Sequence, residues 1–121
     1  MKVLSIKQPY VELILSGKKT IELRTWNTKF RGEFLIHASK TPDKEAMKKF
    51  NYEKLPTGKI LGKITLTNIK NYEETNDFTL DQDKHKATSS WGKYGFILTN
   101  PKRIPPIEIN GKLGFWNYDL N

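Results

Sequence analysis

Hydrophobic positions along the chain change rhythm several times, and each change marks an element. Val3, Leu4 and Ile6 form a short apolar run that reads as a strand. Tyr10, Leu13 and Ile14, widened by Val11 and Leu15, then recur at helical spacing. Gln8 and Pro9 open that helix, because proline at the first helical position sacrifices no hydrogen bond. Gly17 is the expected stop. Over residues 20–26 the pattern alternates, with Ile21 and Leu23 facing one way and Thr20, Glu22, Arg24 and Trp26 the other.

Arg31 and Gly32 mark a turn into E-F-L-I-H-A, residues 33–38, an almost unbroken apolar strand of the kind that is covered on both faces. Thr41, Pro42 and Asp43 cap a second helix whose stripe is Ala46, Met47 and Phe50. After the Pro56-Thr57-Gly58 break, residues 59–69 read as a long strand with Ile60, Ile64 and Leu66 on one face. Residues 73–90 have no clear period, so they are either functional or partly helical, and a lid if they fold over a cleft. Residues 94–98 resume as strand, and Pro101, Pro105 and Pro106 predict irregular backbone after them. Asn110-Gly111 between residues 107–109 and 112–118 is the signature of a two-residue hairpin. Trp91, Phe96, Phe115 and Trp116 are expected in the core. About six strands and two or three helices on a single domain, residues 1–121, suggest a small mixed sheet or barrel.

Charge sharpens this picture. The net charge is +8, and it is not evenly spread: residues 1–60 hold 13 Lys and Arg against 6 Asp and Glu, residues 61–121 hold 8 against 7. A basic half favours a polyanionic partner, RNA or a nucleotide. The absence of cysteine excludes disulfides, thiol nucleophiles and thiolate metal sites. His37 and His85 make no metal-ligand spacing, Asp77, Asp81 and Asp83 do not form a calcium loop, and no metal or cofactor is expected. No apolar run is long enough to span a membrane, and charge breaks the N-terminus too soon for a signal peptide, so the expected location is cytoplasmic. Nothing points to a protein partner.

The densest chemistry is G-K-K-T-I-E-L-R, residues 17–24, at a helix-to-strand junction. Charged groups gathered at such a junction commonly build an anion or nucleotide pocket. Lys19 stands either exposed past the helix or over a cleft, where burial and the cations Lys7, Lys18 and Arg24 would lower its pKa while Glu22 opposes them. Glu22 and Arg24 form either a structural ion pair or a base- and phosphate-reading pair. Gln8 starts the helix and has an amide to offer a base. Trp26 either stacks on a base or packs in the core, and Lys29 and Arg31 follow it as a basic rim. His37 reads as a hydrogen-bonded core group or a site residue, and Ser39 lacks a nucleophile motif.

S-I-K-Q-P-Y, G-K-K-T-I-E-L-R-T-W and R-G-E-F-L-I-H-A-S, in that order, resemble the ASCH domain family of the PUA-like superfamily. Its spaced G-x-K-x-x-E-x-R element is met by Gly17, Lys19, Glu22 and Arg24, and residues 94–98 and 111–116 resemble its last strands. The resemblance implies an α+β, mostly β fold, a small twisted PUA-like barrel with helices packed on it and a cleft into which that element projects. It implies binding of RNA or nucleotides, for which the residue chemistry above offers Lys7, Gln8, Lys18, Lys19, Arg24, Trp26, Lys29, Arg31, His37 and Ser39 as contacts. It also admits a hydrolase on a modified nucleoside such as acetylcytidine, or on RNA, with Lys19 and Glu22 catalytic. The deacetylating branch carries threonine where Glu22 stands, and its second acid matches Glu73, Glu74, Asp81 or Asp83 only by region.

Overall fold

The computed structural model describes residues 1–87 and 92–120. Trp91 and residues 88–90 of the 73–90 segment lie outside them. The elements run β1 Lys2–Ile6, α1 Tyr10–Leu15, β2 Ile21–Arg24, β3 Gly32–Ala38, α2 Lys44–Lys49, β4 Lys59–Asn71, α3 Gln82–His85, β5 Tyr94–Glu108 and β6 Phe115–Asn117. The strands form one sheet in the order β2-β5-β4-β3-β1-β6, with β1 and β3 parallel and the other neighbours antiparallel.

The sheet is not closed, which corrects the expected barrel. β2 and β6 are its two edges, four and three residues long. Side chains, not a ladder, fill the gap between them. Trp26, just past β2, packs edge to face on Phe115 of β6, with ring centroids 5.6 Å apart. Arg24 donates from Nη2 to the Ser5 carbonyl of β1 at 2.9 Å.

The main core lies where α1 covers the sheet. Val11, Ile14 and Leu15 pack on Leu4, Ile6, Phe34, Ile36, Ile64, Leu66, Phe96 and Leu98. Gly62 makes that approach possible: a Cβ there would stand 2.5 Å from Leu15 Cδ2 and 2.6 Å from the Lys102 carbonyl. Ile60 does not share the face of Ile64 and Leu66. Ile36 pairs with Gly62 and His37 with Ile60, so Leu61 is an inserted residue that flips the side-chain alternation. Ile60 thereby joins Val3, Leu35 and Trp116 in a second cluster on the opposite face, under Ile104, Ile107 and Ile109.

Two further expectations fail for reasons of pairing. β5 runs unbroken through Pro101, Pro105 and Pro106. β2 pairs only with residues 94–97, so the rest of β5 has one free edge, and its ladder to β4 shifts register at the prolines. The Asn110-Gly111 hairpin does not form. β5 ends on β4, while residues 109–114 cross the sheet and deliver β6 to β1. Asp43, not Thr41, caps α2, its Oδ1 accepting from the Ala46 amide at 3.0 Å. Among the described residues no helix is long and apolar enough to cross a membrane.

Candidate functional site

β1 and β3 end side by side, Ile6 opposite Ala38. The chain leaves both strands at this end, and a cleft of about 680 Å³ opens there, at the carboxyl ends of parallel strands where α/β sheets commonly bind ligands. The exits from β1 contribute Ser5, Ile6, Lys7 and Tyr10; β2 contributes Glu22 and Arg24; β3 and its exit give His37, Ser39, Lys40 and Asp43. Residues 110–114, the crossing segment, form the remaining wall.

Glu22 organises one side of the cleft. Its Oε2 lies 3.1 Å from Arg24 Nη2 and its Oε1 3.4 Å from Lys19 Nζ. Lys19 does not line the cleft. Gly17 ends α1 with φ of +82°, the Lys19 amide bonds the Leu13 carbonyl, and the side chain is directed behind Glu22. There its ammonium donates to the His85 carbonyl at 2.5 Å and sits 5.2 Å from the Tyr10 ring centre, in a small void with Leu23, His85 and Ala87. Only 3% of the residue is exposed. Burial lowers the pKa of this lysine; Glu22 opposes the shift, and Arg24 and Lys86 add to it. Burial, with the charges of Asp43 and Glu22, raises the Tyr10 phenol.

His37 is held from both ring nitrogens. Nε2 stands 2.7 Å from the Ile109 carbonyl, which can only accept, so this nitrogen carries the proton. In the neutral ring Nδ1 is then the acceptor, with the Ser5 hydroxyl donating to it at 3.0 Å. Gly111 crosses directly above this pair; a Cβ there would stand 2.6 Å from Ser5 Oγ and 2.9 Å from His37 Nδ1. Only a residue without a side chain can pass so close.

The structure thus brings Lys7, Glu22, Arg24, His37 and Ser39 together around one space. It spends the other candidates elsewhere. The Gln8 amide is buried, Oε1 accepting from the Glu12 amide and Nε2 donating to the Pro56 carbonyl. Trp26 packs on Phe96 and Phe115. Lys18, Lys29 and Arg31 are exposed and outside the cleft wall, Arg31 bonding the carbonyls of Thr28 and Phe30. Sequence reading did not single out Tyr10, Lys40, Asp43 or residues 110–114 as site residues. Tyr10 had a signal, its place in S-I-K-Q-P-Y; the others meet the cleft only through the crossing of distant segments.

The described part of the 73–90 segment covers Lys19, not the cleft. Thr20 bonds the Lys84 carbonyl through its amide, and α3 rests on β2. Asp81 is buried there, accepting from Lys70 Nζ at 2.8 Å and Tyr72 Oη at 2.7 Å. Glu73, Glu74 and Asp83 are exposed, and none of the four acids reaches the cleft. Among the described residues no group of three or more His, Asp and Glu could hold a metal ion.

Comparison with known proteins gives a consistent result. No curated protein matches the chain in sequence. Among solved structures, an ASCH protein from Zymomonas mobilis superposes with a TM-score of 0.63 at 18% identity, covering 88% of this chain and 72% of that one. A serine-to-alanine mutant of that protein superposes equally, with a TM-score of 0.63 at 17% identity over 89% of this chain and 73% of the mutant. A tyrosine-to-phenylalanine mutant does the same, at 18% identity over 88% and 74%. The sequence profile of the ASCH domain matches residues 4–108, nearly the whole fold, and the chain belongs to the ASCH domain family.

Proposed function

We propose that this protein binds RNA or a nucleotide in the cleft at the ends of β1 and β3. Lys7, Arg24, Lys40 and Lys112 face the ligand's phosphates, and Tyr10 offers a ring to a base. One observation carries the reading. Lys7, Lys40 and Lys112 line the cleft as exposed cations beside Arg24, while its two carboxylates are already engaged within the protein, Glu22 by Lys19 and Arg24 and Asp43 as the cap of α2. The space therefore presents positive charge to whatever enters it. Membership in the ASCH family, which is nucleic-acid-associated, supports the same reading.

The test is fluorescence anisotropy with a short single-stranded RNA and with single nucleotides across a salt series. Affinity should fall steeply with salt, and the triple variant Lys7→Ala, Lys40→Ala, Lys112→Ala should flatten the slope of log K against log salt by about 2, at roughly 0.7 per lost phosphate contact. Affinity independent of salt would remove the proposal.

A hydrolytic role for Lys19 is the second reading, favoured by its lowered pKa beside Glu22. Glu22 stands between Lys19 and the cleft, so a substrate must displace it to reach the amine. Incubation with acetylcytidine and with RNA separates the readings. Turnover lost in Lys19→Ala selects the hydrolase; no turnover in the wild type leaves binding alone.

A further inference from the structure

Ser5 and His37 meet in the cleft in an arrangement that neither reading uses. A serine hydroxyl becomes a nucleophile when a neutral imidazole nitrogen accepts its proton and a third group holds the ring in the right tautomer. Each part is present. Ile109 accepts from Nε2 at 2.7 Å, so that in the neutral ring Nδ1 is the acceptor toward Ser5 Oγ at 3.0 Å. The ring is fixed between β3 and the crossing segment, with Trp116 against it at 5.9 Å. Ser5 is one of the residues lining the cleft, its part-buried hydroxyl lying beneath Gly111, and the Arg24 guanidinium is a cation anchored 2.9 Å from the Ser5 carbonyl.

We infer that Ser5 and His37 form a nucleophile–base pair competent for acyl transfer from carboxylic esters that carry an anionic group. Ser5 Oγ bonds to the ester carbonyl carbon as its proton passes to His37 Nδ1. The C–O bond to the alcohol then breaks, and the leaving oxygen takes that proton. Water repeats the two steps on the acyl-serine, restoring the hydroxyl and releasing the acid. The tetrahedral oxyanion forms beside Arg24, and Lys7 and Lys112 attract the substrate's negative charge. This activity is independent of RNA binding; either can fail without the other.

The pair also ties the crossing segment to the sheet, so the experiment must read more than stability. Wild-type protein is treated with a fluorophosphonate, whose P–F bond breaks as Ser5 Oγ bonds to phosphorus, and the adduct is located by peptide mass mapping. The expected result is one adduct, on Ser5, with release of nitrophenol from a nitrophenyl ester that Ser5→Ala lacks. His37→Gln, whose amide can still donate to the Ile109 carbonyl, should label at least about a hundredfold more slowly. Mapping of the wild type decides even if that variant does not fold. No adduct, an adduct on Ser39 or Tyr10 instead, a folded His37→Gln that labels at the wild-type rate, or ester cleavage undiminished in Ser5→Ala would each overturn the inference.

Discussion

Two regions of this small domain concentrate charge, and they do so in opposite ways. Beneath α3, Lys70, Asp77, Asp81 and Tyr72 bond one another, and Lys19 is closed in by Glu22 and the His85 carbonyl. At the ends of β1 and β3, Lys7, Arg24, Lys40 and Lys112 are arrayed around empty volume. The first arrangement meets the cost of burying polar groups from within. In the second, Arg24 is held by Glu22 and the Ser5 carbonyl, but Lys7, Lys40 and Lys112 stand exposed on the cleft wall. Density of charge in the sequence therefore says little about where a ligand goes; what matters is whether neighbouring groups already satisfy that charge.

Glu22 belongs to both regions, so its loss should have the largest effect. Glu22→Gln leaves the Lys19 ammonium buried without its anion and should cost about 3 kcal/mol or more. Urea unfolding measures it, and a loss under about 1 kcal/mol would mean that Lys19 is not held as a charge. The same change removes an anion from the cleft wall, so RNA affinity per folded molecule should rise while stability falls.

Asp81 tests the self-satisfied region alone. Asp81→Asn should cost about 1–3 kcal/mol by weakening the bonds from Lys70 and Tyr72, with no change in ligand affinity. Its pH dependence has a definite sign. Burial alone would raise the Asp81 pKa, but the hydrogen bonds from Lys70 and Tyr72 and the charges of Lys70 and Lys84 outweigh it, and the folded value lies below the ordinary one. Its contribution is complete above the unfolded value of about 3.9 and is lost as pH falls through the lower folded value. Melting temperatures between pH 5 and 2 should thus fall less in Asp81→Asn than in the wild type; parallel curves would contradict the assignment.

The smallest effect belongs to Glu12 and Arg103, which form a two-pronged pair at 2.7 and 2.8 Å on the surface, away from both regions. Arg103 is 56% exposed in its side chain, so Glu12→Gln should cost at most about 1 kcal/mol and less in high salt. A larger loss would show that exposure is a poor guide to the difference between the two regions.

Much of the fold was legible wherever order is local. The helical spacing of Val11, Ile14 and Leu15, the alternation of Ile21 and Leu23, and the apolar run of β3 all predicted elements that form. The errors share one cause. Pro101, Pro105 and Pro106 break a strand only if their side of it must be bonded, and that depends on where β2 stops. Asn110 and Gly111 make a hairpin only if the flanking strands pair, and β6 pairs with β1 instead. The site divides in the same way. G-K-K-T-I-E-L-R was visible as a cluster because its charges are close in sequence, and the structure does join Lys19, Glu22 and Arg24. That Lys19 lies behind Glu22, and that Lys40 and Lys112 share the cleft, follows from contacts between segments tens of residues apart.

By itself, then, the sequence determined the strands and helices of local period, the ASCH membership carried by its ordered motifs, and the basic character of its first half. The tertiary structure alone decided that the sheet stays open, that α3 seals Lys19, and that residues 109–114 pass over Ser5 and His37. The physical reason is range. Periodicity, capping and charge act between neighbours in the chain, whereas burial and hydrogen-bond satisfaction depend on which distant segment arrives.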